Sequence, residues 1–354
     1  MNSSTVPFRV PVMDALRGAA IVSVLFYHFG WFPYGHLGVD LFFVISGFLV
    51  SRVFIDAICA GTKFSLREFF LRRASKILPS YYFFLLVGTV VGLKYFAQFD
   101  PIQPFSWSQW PSQIFFYSNY RGTEFWIYAH LWSVCVEEHF YCLLPVALLI
   151  VRSEIRDSRV VLVTAVWFIL AGWSLRELSF LIGFEGSAAT HNHLDTFAYG
   201  IILSYCYRAD YFTAMKAMPR WGLFVLGLLV VGLSVILDAS GRYPHFSLVC
   251  FHSLAALGFT LLAASLIGMG AGCPRVLSFF AVYSYNLYLW HPMLAKPIQR
   301  FWGTGFVPGL AYVSLSTGVA VVVTRLLERP CLEWMRRKRK AGLLKISLAA
   351  DRVT

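Results

Sequence analysis

Leu223-Phe224-Val225-Leu226-Gly227-Leu228-Leu229-Val230-Val231-Gly232-Leu233-Ser234-Val235-Ile236-Leu237 is a run of fifteen residues with no charge and no proline. Similar runs recur along the chain, at Ile77 to Leu93, Val160 to Trp173 and Val307 to Val323, each extended by apolar residues at its ends. A helix needs about 20 predominantly apolar residues to cross a bilayer. The runs are continuous and do not alternate at every second residue, which argues for helices and against a membrane barrel. The whole chain agrees: its 354 residues are 58% hydrophobic and only 14% charged, against about 25% charged in ordinary globular domains. The expected fold is all-α, a polytopic transmembrane helical bundle of about ten spans. They fall near residues 11–30, 37–58, 77–96, 131–151, 160–180, 193–208, 221–238, 246–267, 275–295 and 305–327.

With these spans, alternate loops share the basic residues unevenly. One side takes 24 of the 30 Lys and Arg, including Arg9, Lys63, Arg67, Arg72, Arg73 and the tail from Arg325 onward, and the other takes six. Basic loops stay on the cytoplasmic side, so both termini are expected there. The net charge of +12 is thus a topology signal and not a sign of nucleic-acid binding. The division expected is an integral-membrane domain over residues 1–335 and a basic cytoplasmic tail over 336–354, seated against anionic lipid headgroups. The first span resembles a secretory signal, but Asp14 and Arg17 interrupt it and no small-residue cleavage site follows His28, so it reads as a retained anchor. The seven cysteines form no C-x-x-C pair and read as small buried hydrophobes, with no metal site.

Four constellations of polar residues interrupt the apolar pattern. The first is Asp14, Arg17 and His28. A charge at membrane depth costs about 2.5–3.5 kcal/mol on insertion scales and so faces a protein interior or a wet cavity. Arg17 and His28 are eleven residues apart, close to three helical turns, which places them on one face about 16 Å apart along the axis. That spacing suits an enzyme that grips an anionic donor at one end and works at the other. It equally suits a structural Asp–Arg pair with a satisfied histidine. The second constellation is Asp40, at the start of the second span, which either orients the His28 imidazole or caps a helix. Gly38 and Gly47 beside it permit close helix contact.

The third is Arg72, Arg73 and Lys76, which either clamp phosphates or anchor the span by the positive-inside rule. The fourth is Ser133, Glu137, Glu138 and Tyr141. Residues 133, 137 and 141 form one stripe on a helix. The stripe either binds an acceptor hydroxyl or locks helices together, with an arginine expected opposite a glutamate. His291 before Pro292 marks a helix break lining a cavity. The proline-broken segment from Gln98 to His130 is rich in aromatic residues. It reads as a packed lid or as a platform for sugar rings.

These elements in order resemble the membrane acyltransferase-3 family, whose members O-acetylate bacterial surface polysaccharides, lipopolysaccharide and Nod factors. The matching residues are Asp14-x-Leu16-Arg17-Gly18 with His28, Gly38-Val39-Asp40-Leu41-Phe42-Phe43, Arg72-Arg73 with Pro79, Trp132-Ser133 with Glu137 and Tyr141, Ser284-Tyr285-x-Leu287-Tyr288-Leu289-x-His291, and Glu328-x-Pro330. The resemblance implies a multi-pass protein of the bacterial inner (plasma) membrane. It implies transfer of an acetyl or short acyl group from acyl-CoA, a co-substrate and not a bound cofactor, to a hydroxyl of a carbohydrate or glycolipid. It makes His28 the essential histidine, supported by Arg17; on the residues' own chemistry His28 is the general base and Asp40 its acidic neighbour. Asp14, Arg72, Arg73 and Lys76 fall to the donor, although the family carries arginine where Lys76 stands. The competing reading of the same cavity charges is a transporter or flippase of a lipid-linked glycan.

Overall fold

The computed structural model describes residues 10–62, 64–96, 106–121, 125–152, 157–184, 188–212, 217–335 and 337–338. Lys63, residues 98–105 and 122–124 of the aromatic segment, and the tail apart from Arg337 and Lys338 lie outside the described residues. Among the described residues there is no strand. In chain order the helices are α1 (Pro11–His28), α2 (Leu37–Cys59), α3 (Leu66–Val91), α4 (Trp110–Ile114), α5 (Ser118–Arg121), α6 (Trp132–Arg152), α7 (Arg159–Leu181), α8 (Leu194–Arg208), α9 (Ala217–Ala239), α10 (Phe251–Gly268), α11 (Arg275–Trp290), α12 (Pro292–Trp302) and α13 (Phe306–Val323).

By length and composition, seven described helical stretches are able to cross a membrane: Pro33–Cys59, Leu66–Lys94, Ala129–Val151, Arg159–Leu181, Met218–Ala239, Phe246–Gly268 and Phe306–Met335. The other three expected spans fall on α1, α8 and α11. α1 carries Asp14 and Arg17 within its 18 residues. α8 has 15 residues and α11 has 16, which is about 22–24 Å of helix against a hydrocarbon core of about 30 Å.

The chain divides into two units. The first comprises Met1–Phe64 and Ser106–Ser284. Its α2 and α8 cross where each offers a glycine. A Cβ on Gly47 would strike the carbonyl of Phe197, and one on Gly200 would strike that of Val44. Glycine at both positions lets the two backbones meet. Around this crossing Phe140 of α6 stacks on Phe197 with ring centroids 4.1 Å apart. Ile45, Phe48, Leu203 and Ala263 complete a core drawn from α2, α8 and α10.

The second unit comprises Ser65–Phe105 and Tyr285–Thr354. In it Tyr285 donates its hydroxyl to the Ile77 carbonyl of α3 at 2.9 Å. Asn286 donates to Thr324 Oγ1 and Glu328 Oε2 at 2.8 and 2.7 Å. The two C-terminal sequence elements singled out above, around Tyr285 and Glu328, are thus tied by one buried side chain.

Candidate active site

α1 is unbroken from Pro11 to His28, so Asp14, Arg17 and His28 do share one helix. His28 is its last residue, half-buried, with the Tyr27 ring edge-on at 5.1 Å. Arg17 is half-buried as well, and among the described residues none bonds its guanidinium. Gly38 of α2 sits against the Ala20 carbonyl of α1, close enough that a Cβ there would lie 2.5 Å from the oxygen. This contact sets the start of α2, and Asp40 with it, beside α1.

Asp40 is buried in the first turn of α2. Its hydrogen-bond partner is a histidine other than His28. Nδ1 of His252, on α10, lies 3.0 Å from Oδ2 and 3.2 Å from Oδ1 of the carboxylate. Two further imidazoles border this pair: the His36 ring lies 6.4 Å from His252 and the His193 ring 5.7 Å. His36 in turn meets the Tyr27 ring at 5.2 Å. His252 was open to the reasoning that found His28, since it is a lone imidazole inside an apolar run. Its partnership was not, because Asp40 stands 212 residues away.

On α6 Glu137 accepts hydroxyls from Ser46 of α2 and Tyr141 of its own helix. Of the two glutamates for which an arginine was expected, Glu137 is satisfied by these two O–H donors, without another charge being brought to it. Ser133 donates to the His130 carbonyl at 3.2 Å. Glu138 is half-buried next to Glu137.

Among the described residues the buried arginine of this unit is Arg176 on α7. Its Nη2 lies 2.5 Å from Oδ1 of Asp195 on α8, and its Nη1 donates to the Val249 carbonyl at 2.6 Å. That carbonyl belongs to the wide π turn Phe246–Cys250, which leads into α10 and His252. Like His252, Arg176 is a lone polar group in an apolar run that the motif reading passed over.

His191, His193 and Asp195 go to three different neighbours. Asp195 takes Arg176, the His193 ring lies 5.2 Å from Trp132, and His191 lies within 3.4 Å of the Tyr120 hydroxyl and 3.3 Å of Ser179 Oγ. Burial, reinforced by the charge of Arg176, holds the His191 imidazole below its ordinary pKa. In the aromatic segment Asn119 donates to Thr190 Oγ1 at 2.9 Å, and Thr190 meets His139 Nδ1 at 2.6 Å. Phe125, Trp126 and Tyr128 are buried, as a packed lid requires, whereas Trp107 and Phe115 remain exposed.

In the second unit Arg72 pairs with Glu68 one turn earlier at 2.8 Å, and Arg73 lies over the Phe69 ring at 5.9 Å. Lys76 is half-buried on the same helix. The helix does break at His291: α11 ends at Trp290 and α12 starts at Pro292. His291 is fully buried, with Nδ1 3.0 and 2.9 Å from the Leu287 and Tyr288 carbonyls. It therefore faces packed protein and not the cavity expected from sequence.

Residues 10–329 match the family described as the acyltransferase domain. The chain belongs to the acyltransferase-3 family. Among its relatives is the O-acetyltransferase OatA of Staphylococcus aureus strain NCTC 8325 / PS 47, 25% identical over 352 residues, covering 92% of this chain and 57% of that protein. OatA of strains COL and N315 matches equally, at 25% identity with the same coverage. The chain thus spans 57% of the length of the curated relatives it matches. No solved structure matches it. Among acyltransferase-3 proteins, then, this one is a helical, multi-pass membrane protein, and the match runs from the start of α1 to Arg329.

Proposed function

We propose that this protein is a membrane O-acyltransferase. It moves an acetyl or short acyl group from acyl-CoA to a hydroxyl of a surface carbohydrate or glycolipid at the bacterial inner membrane, with His28 as general base. The observation that carries this reading is α1 itself. One unbroken helix holds a half-buried guanidinium without a described partner and, about 16 Å further along its axis, an imidazole in a ring cluster. An anion on Arg17 would satisfy the guanidinium, and the extended arm of a coenzyme thioester is long enough to bring its acyl group to His28. In this reading Asp14 supports Arg17, and Arg72, Arg73 and Lys76 are the candidate phosphate contacts of the second unit. The Glu137 cluster with Ser133, Glu138 and Tyr141 is the candidate acceptor surface of the first.

The test is donor turnover. Purified protein given labelled acetyl-CoA and a crude glycan acceptor releases free CoA and labels the glycan, whereas a flippase does neither. His28→Ala is expected to lose about 10²–10⁴ in rate, the usual effect of removing a general base, at unchanged membrane level. Arg17→Lys is expected to weaken dependence on acetyl-CoA, because lysine keeps the charge but loses the bidentate fork. A His28→Ala protein that acetylates like wild type would refute the assignment.

A further inference from the structure

Asp40 holds an imidazole whose other nitrogen is open. Nδ1 of His252 donates to the carboxylate at 3.0 Å, which leaves Nε2 as the remaining ring atom. Among the described residues nothing bonds Nε2. The His252 side chain keeps 31% of its surface exposed, against 3% for Asp40. The dyad thus pairs a buried carboxylate with a partly exposed imidazole. A chain of ring contacts links it to α1: the Tyr27 ring meets His28 at 5.1 Å and His36 at 5.2 Å, and His36 meets His252 at 6.4 Å.

The surroundings of Asp40 also bear on which proton the dyad handles. His252, His193 and His36 are the titratable groups nearest its carboxylate. Among the described residues neither Lys nor Arg pairs with it. A buried carboxylate needs a cationic partner with good hydrogen bonding. His252 protonated on both nitrogens supplies one and keeps an Nε2–H to donate.

We propose that His252, held by Asp40, is a second catalytic imidazole: the acid that protonates the departing thiolate. The proposal rests on the acyl-thioester reading above and adds a residue to it. As the acceptor oxygen bonds to the acyl carbon, its proton passes to His28. The carbon–sulfur bond then breaks with its electron pair on sulfur. The Nε2 proton of His252 goes to that sulfur and a thiol leaves. Between turnovers His28 gives up the proton it gained and His252 takes one back from solvent, which closes the proton balance. In water an alkyl thiolate, with a parent pKa of about 8.5, leaves readily. Inside a water-poor bundle the bare anion is costly, and a placed acid lowers that barrier.

Leaving-group dependence tests this. Turnover of the full-length protein in detergent is compared for acetyl-CoA and for S-phenyl thioacetate, whose arylthiolate is stable enough to leave unprotonated. His252→Gln is expected to lose about 10²-fold with acetyl-CoA and to keep most of its turnover with the aryl thioester, while His28→Ala loses both. Equal loss on the two donors, or no loss with acetyl-CoA, overturns the role of His252. A wild-type protein that turns over neither donor overturns the acyltransferase reading instead. Should His252→Gln fail to accumulate in membranes, Asp40→Asn keeps the imidazole without its carboxylate, and its response to the two donors is judged by the same outcomes.

Discussion

Replacing Arg176 by Met should destabilise the first unit more than any single change at its surface. Arg176 and Asp195 are 4% and 0% exposed, so water does not compensate for a lost partner. Removing one member of a buried ion pair leaves the other uncompensated, at about 3–5 kcal/mol. The Val249 carbonyl also loses a charged donor at 2.6 Å, a bond of about 1.5–3 kcal/mol in isolation. The two losses share one side chain and do not add in full, so the expected effect is roughly 4 kcal/mol. Adding Asp195→Asn removes the stranded charge, and the double variant should recover about half of that loss or more, because neutral replacements of buried pairs are often well tolerated. The assay is reversible denaturant unfolding in mixed micelles for wild type, both single variants and the double. Two results would refute the reasoning: Arg176→Met unfolding like wild type, or a double variant weaker than either single one.

Three further outcomes follow from the packing. Gly200→Ala places a methyl against the Val44 carbonyl and 2.8 Å from the Phe48 nitrogen; backbone cannot yield there, so overpacking of about 1–3 kcal/mol should appear as a lower melting temperature, with Ala at an open position such as Gly232 as the control. Asn286→Ala leaves the buried Glu328 and Thr324 short of a donor, about 1–3 kcal/mol, and Asn286→Asp should be worse because it sets two carboxylates together; thermal melts of the pair that rank the other way would contradict this. For sidedness, single cysteines at the exposed Thr62 and Ser108 in a cysteine-free background should label oppositely: Ser108→Cys in cells with an intact inner membrane, Thr62→Cys only after permeabilisation. The reverse pattern would invert the topology.

Much was legible from local pattern alone. Uninterrupted apolar runs have only one way to satisfy their backbone within a membrane short of a closed barrel, so helices follow from composition. A helix repeats every 3.6 residues, so Asp14, Arg17 and His28 had to lie along one α1 once that helix was assigned, whereas proline alone did not decide where helices end, since Pro79 and Pro145 sit inside α3 and α6 while Pro292 starts a new helix. Gly38 and Gly47 were readable as contact points because a missing Cβ means close approach in any helical bundle.

What the sequence did not determine was which polar group meets which. Asp40 is matched with His252 across 212 positions and Asn286 with Glu328 across 42. Arg176 is matched with Asp195 because α7 returns as α8. Each partner depends on which helices cross and at what height, and that is set by the sum of apolar packing at contacts such as Gly47–Phe197 and Gly200–Val44. A lone imidazole in an apolar run announces that it needs a partner. Only the tertiary structure, by bringing α10 to the start of α2, decided that the carboxylate serving it would be Asp40.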